Sequence, residues 1–323
     1  MIEVLSCGPM VTIQDRGRAG YLTQGLAHGG AADQHALDDA DALLGQVGAG
    51  IETPGSPLCL RAHGATTVAL TGAPMRADMD GRAVAWNTAQ TLEDQATLNL
   101  RPSGQGVYSY VHVPGGFQTE TMLGSRAAHL IANIGKPLTA GDRLPGMPQV
   151  LRPRKVAASE RLGGGLLRLL PTPQTRLFPE AELARFADTA FTRDMRGNRQ
   201  GVRLSMNGPG FATEAQLNLL SDFILPGDVQ MTGDGVPYIL GPECQTTGGY
   251  PRIGTVISAD MPRAMQAVPG AKLRFRFVTL AEARAARSKR PEVSPLIRDP
   301  SEITDLLSLQ LIGGVMSARD GDS

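Results

Sequence analysis

The stretch Thr12-Ile-Gln-Asp-Arg-Gly-Arg-Ala-Gly-Tyr21 crowds two arginines, an amide, a carboxylate and a phenol around two glycines. Arginine grips carboxylates or phosphates, and glycine lets a backbone turn sharply beside a ligand, so the stretch reads as an anion-binding loop. The same residues would equally serve as an Asp-Arg pair pinning a turn at a barrel rim. Gly29-Gly30-Ala-Ala-Asp33 follows, with Asp33 placed to cap a helix. A second cluster, Glu243-Cys-Gln-Thr-Thr-Gly-Gly-Tyr-Pro-Arg252, makes a donor-rich loop able to cradle a carboxylate or an amide. Cys244 is its obvious nucleophile candidate, but no histidine stands near it in sequence, and a lone cysteine is more often a small buried residue. In a third cluster, Pro114-Gly-Gly-Phe117 with Met122-Leu-Gly-Ser-Arg126, Ser125 and Arg126 offer an oxyanion contact, or simply a hairpin turn and a bend.

Several chemistries are excluded by what does not occur. There is no phosphate-binding Gly-x-x-x-x-Gly-Lys-Ser/Thr, so any ATP is expected on another chain. No Gly-x-Ser-x-Gly elbow, His-Glu-x-x-His or ligand-spaced histidine pattern is present, and no metal is expected. No Met-Lys-Met carries a biotinyl lysine. Lys plus Arg equals Asp plus Glu, with no basic run, which argues against nucleic acid. The N-terminus lacks a secretory pattern and no stretch is long and apolar enough for a bilayer, so a cytoplasmic location is expected. Three distant cysteines fit a reducing compartment.

These loops need a scaffold. Thr67–Thr71, Ala96–Leu100 and Val107–Val113 alternate or are β-branched, and glycine and proline punctuate many similar short segments. Strong helical periodicity appears in few places, chiefly Asp33–Leu44 and Pro179–Thr189. A mostly β fold built of closed barrels, with a few packed helices, is therefore expected over a doubly wound α/β fold. The charged and glycine-rich Val150–Gly165 reads as a connector between halves at 1–150 and 165–279. Ala140-Gly-Asp-Arg-Leu144 is echoed by Pro269-Gly-Ala-Lys-Leu273, a faint hint of duplication. Residues 280–323 read as a tail: a solvated helix over Leu280–Lys289, a proline-broken linker, and a last helix with Ile303, Leu306, Leu307 and Gln310 on one stripe.

In this order the three clusters resemble the biotin-dependent carboxyltransferase-like, urea-amidolyase-related family. It includes the C subunit of 5-oxoprolinase, allophanate hydrolase subunit 2-type proteins, the Kip-type antagonist, and half of the carboxyltransferase domain of urea carboxylase. The family's Thr-x-Gln-Asp-x-Gly-Arg-x-Gly-Tyr is met at Thr12, Gln14, Asp15, Gly17, Arg18, Gly20 and Tyr21, and its Gln-Thr-Thr-Gly-Gly-Tyr-Pro at Gln245 to Pro251. Shorter matches at Leu70–Ala73, Leu123–Arg126 and Arg203-Leu204 extend the resemblance over residues 2–278. Asp41, Gln200, Asp222 and Glu243 depart from the family's usual residues.

The resemblance implies two tandem cyclophilin-like β-barrel domains. It implies the C subunit of an ATP-dependent 5-oxoprolinase, which opens 5-oxo-L-proline to L-glutamate only with a homologous cyclophilin-like B subunit and an A subunit, ATP acting at the level of the complex. One alternative is a carboxyltransferase-type subunit of a biotin-dependent urea or amide carboxylase or an allophanate-hydrolase-related complex, the one reading that calls for biotin. Another is a non-enzymatic antagonist of a kinase-inhibitor protein. Carried onto this chain, the resemblance points to Asp15, Arg18 and Gln245 as catalytic candidates. It points to Gln14, Tyr21, Ser125, Arg126, Thr246, Thr247, Gly248, Gly249 and Tyr250 as contacts to a small amide or lactam.

Overall fold

Ile2–Cys7 buries Ile2 and Val4 and leaves Glu3 and Leu5 half-buried, the period-two pattern of a strand with one face on a core. In the computed structural model, which describes residues 1–158, 160–213, 219–286 and 290–297, it lies between Arg143–Leu144 and Leu58–Ala62. Thr97–Pro102, Met75–Met79 and Arg82–Val84 complete a six-stranded sheet. A second sheet of seven strands runs Thr12–Gln14, Gly50–Thr53, Ser109–His112, Thr66–Gly72, Thr88–Leu92, Arg154–Val156 and Val293–Pro295. The two sheets share one apolar core, to which Ile2, Leu60, Leu98, Ile51, Val68 and Val111 contribute.

Thr66–Gly72 is buried along its whole length because both its faces are covered. Val68 and Leu70 enter the core between the sheets, while Ala69 meets Ala42 and Leu43 of the helix Gln34–Leu44. That helix starts where the sequence places it, with the Asp33 carboxylate accepting the Ala36 N–H at 3.1 Å.

The second half is a closed seven-stranded barrel, ordered Gly165–Leu170, Arg252–Val256, Asp228–Met231, Pro237–Leu240, Gly201–Ser205, Phe191–Asn198 and Lys272–Phe277. The helix Glu180–Asp188 delivers Phe186 onto Phe191, Phe211 and Phe275, with ring centroids 4.8–5.3 Å away. The mostly β fold with few helices is thus as expected. The strand walls of the two halves close differently, as two facing sheets in the first and one barrel in the second.

The halves are welded. Ala31, Ala32, Tyr108 and Tyr110 of the first belong to the same buried cluster as Leu167, Val229 and Phe275 of the second. Gln266 reaches across with Oε1 accepting the Val107 and Tyr108 N–H groups at 2.9 Å, and its Nε2 donates to Asp33 at 2.8 Å. Connector and tail also meet, since Arg154–Val156 pairs with both Thr88–Leu92 and Val293–Pro295. The segment after the helix Leu280–Ala285 therefore adds an edge strand to the first half. The helix expected after Ser301 lies outside the described residues. Among those described, no helix is long and apolar enough to cross a membrane.

His112 is fully buried beneath Gly50, where any β-carbon would stand 2.3 Å from the ring, and neither ring nitrogen has a partner among the described residues. Burial, with a smaller contribution from Arg16, pushes its pKa down to about 3 from the ordinary 6.5. The unfolded chain therefore takes up this proton first. The resulting stability is complete above the ordinary value and is lost as pH falls towards the folded one, by at most about 1.4 kcal/mol per pH unit. Urea midpoints measured between pH 6.5 and 4 should fall less steeply for His112→Phe than for the unmodified protein. Parallel curves would show that His112 does not supply this slope.

Candidate functional site

The first cluster is pinned from within. The Asp15 carboxylate accepts from the Gly17 N–H at 2.8 Å, the Ser125 hydroxyl at 2.6 Å and the Arg126 N–H at 2.7 Å. Gln14, fully buried, donates to the Ala128 carbonyl at 3.1 Å and to Thr12 at 3.0 Å. Asp15, Gln14 and Ser125 thus fasten the segment ending at His129 to the first loop. The Arg126 side chain turns to Gln118, at 3.0 Å. Arg16 is spent on Asp38 and Asp41 of the first helix, at 2.8 and 2.7 Å, which occupies one of the four departures from the family pattern.

The second loop is held against the first by an arginine of its own half that reaches into the other. Arg199, in the turn before Gly201–Ser205, donates Nη1 to Glu52, Nε to Glu243 at 2.5 Å and Nη2 to the Gly30 carbonyl at 2.5 Å. Glu52 also accepts from the Tyr110 hydroxyl at 2.6 Å and the Ala32 N–H at 2.8 Å. Burial opposes the Arg199 charge, but Glu52 and Glu243 outweigh it and leave its pKa above the ordinary value. The backbone adds Gly29 N–H to the Pro242 carbonyl at 3.0 Å and Glu243 N–H to the Arg199 carbonyl at 2.9 Å.

Between these fixed loops lies a pocket of about 450 Å³ lined by Gly25–Ala27, by His129, Ile131 and Ala132, and by Cys244, Gln245, Thr246 and Thr247. Arg18 stands next to this wall. A β-carbon on Gly29 would sit 3.2 Å from His129 Cδ2 and 3.3 Å from Arg18 Nη1, so both side chains converge on that glycine. Arg18 is 2% exposed and donates Nη2 to the Ala127 carbonyl, while its Nε and Nη1 have no partner among the described residues. Burial pulls its pKa below the ordinary guanidinium value despite Asp15 and Glu243. Each buried donor left unmade costs about 1–3 kcal/mol, so such a group is unusual in a merely structural role. The arrangement can receive an anion beside a wall of amide and hydroxyl groups.

The structure therefore gathers Gln245, Thr246 and Thr247 at one pocket, sets Arg18 behind its His129 and gives Asp15, Gln14 and Ser125 to its frame. Tyr21 contributes its carbonyl to the pocket-lining turn, accepting from Gln24 and Leu26 N–H groups at 3.0 and 3.1 Å. Thr247-Gly248 forms a short ribbon with Asp222-Phe223, and Gly249 and Tyr250 continue beyond the pocket, Tyr250 being exposed. Cys244 is on the wall, but burial, then Asp228, pushes its thiol up to about 12, which leaves almost no thiolate at neutral pH. Glu52, Arg199 and His129 escaped the sequence motifs; the Gly29-Gly30 pair between them was the one nearby signal.

The family model of the carboxyltransferase domain, subdomain A and B, matches residues 24–277. The chain is 33% identical to the C subunit of the 5-oxoprolinase of Escherichia coli (strain K12), over 89% of this chain and 94% of that protein. A solved structure of the protein TTHA0988 superposes with a TM-score of 0.77 at 28% identity, covering 85% of this chain but only 56% of that one. The urea carboxylase of Kluyveromyces lactis shares the fold, with a TM-score of 0.77 at 22% identity; 88% of this chain corresponds to 28% of the enzyme.

Proposed function

Since the chain belongs to the family of the carboxyltransferase domain, subdomain A and B, we propose that it is the C subunit of an ATP-dependent 5-oxoprolinase. The observation that carries this reading is the second signature loop lining, at Gln245 to Thr247, a pocket whose His129 converges at Gly29 with Arg18 of the first loop, a buried guanidinium with two donors unmade among the described residues. Opening an unactivated lactam develops negative charge on the amide, and hydrogen-bond donors aimed at that charge stabilise it. Gln245, Thr246 and Thr247 supply amide and hydroxyl groups on the other side of the pocket. In this reading ATP binds on the partner subunits and the chain is inactive alone; the residues that line this pocket include no lysine or carboxylate. The partners are an A-type and a B-type subunit, and the complex is cytoplasmic.

Co-expression of the three chains tests this. ATP-dependent release of glutamate from 5-oxo-L-proline should require this chain and fall at least about tenfold in Gln245→Ala, the loss expected on removing a contact to the reacting group. A well-folded three-subunit complex that releases no glutamate overturns the reading; biotin-dependent carboxylation of urea or a related amide is then the assay to run.

A further inference from the structure

His129 fixes its own tautomer. Its Nδ1 accepts the Ala132 N–H at 3.3 Å, which it can do only while that nitrogen bears no proton. Burial, reinforced by Arg18 and Arg199 against Glu243, holds the ring's pKa below the ordinary value and keeps it neutral. The single ring proton then sits on Nε2, which is buried and has no acceptor among the described residues. Arg18 Nε and Nη1 are in the same condition, and the two side chains converge at Gly29. Of the two, His129 lines the pocket and Arg18 lies against it at Gly29, so unmade donors stand beside a lining that also holds Gln245 to Thr247, whose amide and hydroxyl groups both donate and accept. Asp15 and Glu243 act on the Arg18 charge through space, but neither forms a salt bridge with it among the described residues, and the Asp15 oxygens accept from Gly17, Ser125 and Arg126.

We propose that Arg18 and His129 form the receptor for the carboxylate of a small cyclic amide acid, so that the amide faces Gln245, Thr246 and Thr247. The identity of the acid as 5-oxo-L-proline rests on the reading given above; the receptor itself rests on the unpaired donors. A neutral amide offers no charge to the guanidinium, so the site selects the acid over the bare ring. Arg18 and His129 are then specificity determinants: they decide which lactam enters and how it is turned.

Binding to the full-length chain, followed by saturation-transfer NMR and calorimetry, separates the possibilities with three probes: 5-oxo-L-proline, 2-pyrrolidinone, which is the same ring without the carboxylate, and inorganic phosphate. The unmodified chain should prefer 5-oxo-L-proline to 2-pyrrolidinone by at least about tenfold, and Arg18→Gln should reduce that preference to under about twofold. His129→Asn retains an acceptor for the Ala132 N–H while removing the Nε2 donor, and should weaken the preference similarly even if Arg18→Gln folds poorly. Equal affinity for the two rings, a preference untouched in both variants, or tighter binding of phosphate than of the acid would each overturn the proposal. Glutamate release by the complex is the separate test of the enzyme reading. A carboxylate preference without release leaves the receptor standing and removes the oxoprolinase; release without the preference does the reverse.

Discussion

Arg199→Met is expected to lower the unfolding free energy by about 3–5 kcal/mol, the loss typical of removing one partner from a buried ionic cluster. Glu52 and Glu243 are 1% and 2% exposed, and the guanidinium between them is the cation that both share. Without it, two carboxylates stay inside with no counter-charge, and the Gly30 carbonyl loses its donor. For a protein of this size the midpoint of thermal unfolding should drop by roughly 4–7 °C. The penalty comes from the stranded charges and not from the missing side chain. Adding Glu52→Gln and Glu243→Gln to Arg199→Met should therefore restore much of the loss, although the single variant has fewer changes. A drop under about 1 kcal/mol in urea titrations, or no recovery in the triple variant, would mean that the cluster is solvated and does not brace the two loops.

That cluster also explains what was legible from sequence. The two glycine-rich motifs could be located because glycine, arginine and hydroxyl residues are dense there, and the helix Gln34–Leu44 could be placed from its cap and its apolar face. Glu52 could not be read as buried. In Gly50-Ile-Glu-Thr53 an alternating pattern puts Glu52 on the outer face, yet all four residues are inside, because Ala32 and Tyr110 cover that face and satisfy the carboxylate. Arg199 belongs to Asn198-Arg-Gln-Gly201, which reads as a solvated turn; only the approach of the other half buries it. His129 had no sequence partner, since its meaning comes from Arg18 more than a hundred positions away. Composition also could not distinguish a carboxylate that binds from one that clasps. Asp15 is a clasp, and that follows only from the three donors found around it.

The Arg18→Met variant should separate function from stability in the opposite sense to Arg199→Met. Among the described residues Arg18 has no carboxylate in contact, leaves two donor atoms unmade and forms one hydrogen bond, to Ala127. Methionine is apolar and of comparable length, so it relieves the burial of charge while forfeiting that one bond, a charge-assisted contact worth about 1.5–3 kcal/mol. The two effects nearly offset, and the urea midpoint should move by less than about 1 kcal/mol in equivalent stability, with a rise as acceptable as a fall. In the assembled complex the same variant should lose at least about 100-fold in kcat/KM for 5-oxo-L-proline, the scale seen when a preorganised charged donor is removed from a water-poor site. Stability and turnover falling together by large amounts would make Arg18 a structural residue like Arg199 and would remove the reason for placing a ligand beside it. A silent melt with lost turnover would show that the unpaired charge is kept inside the protein for what binds against it.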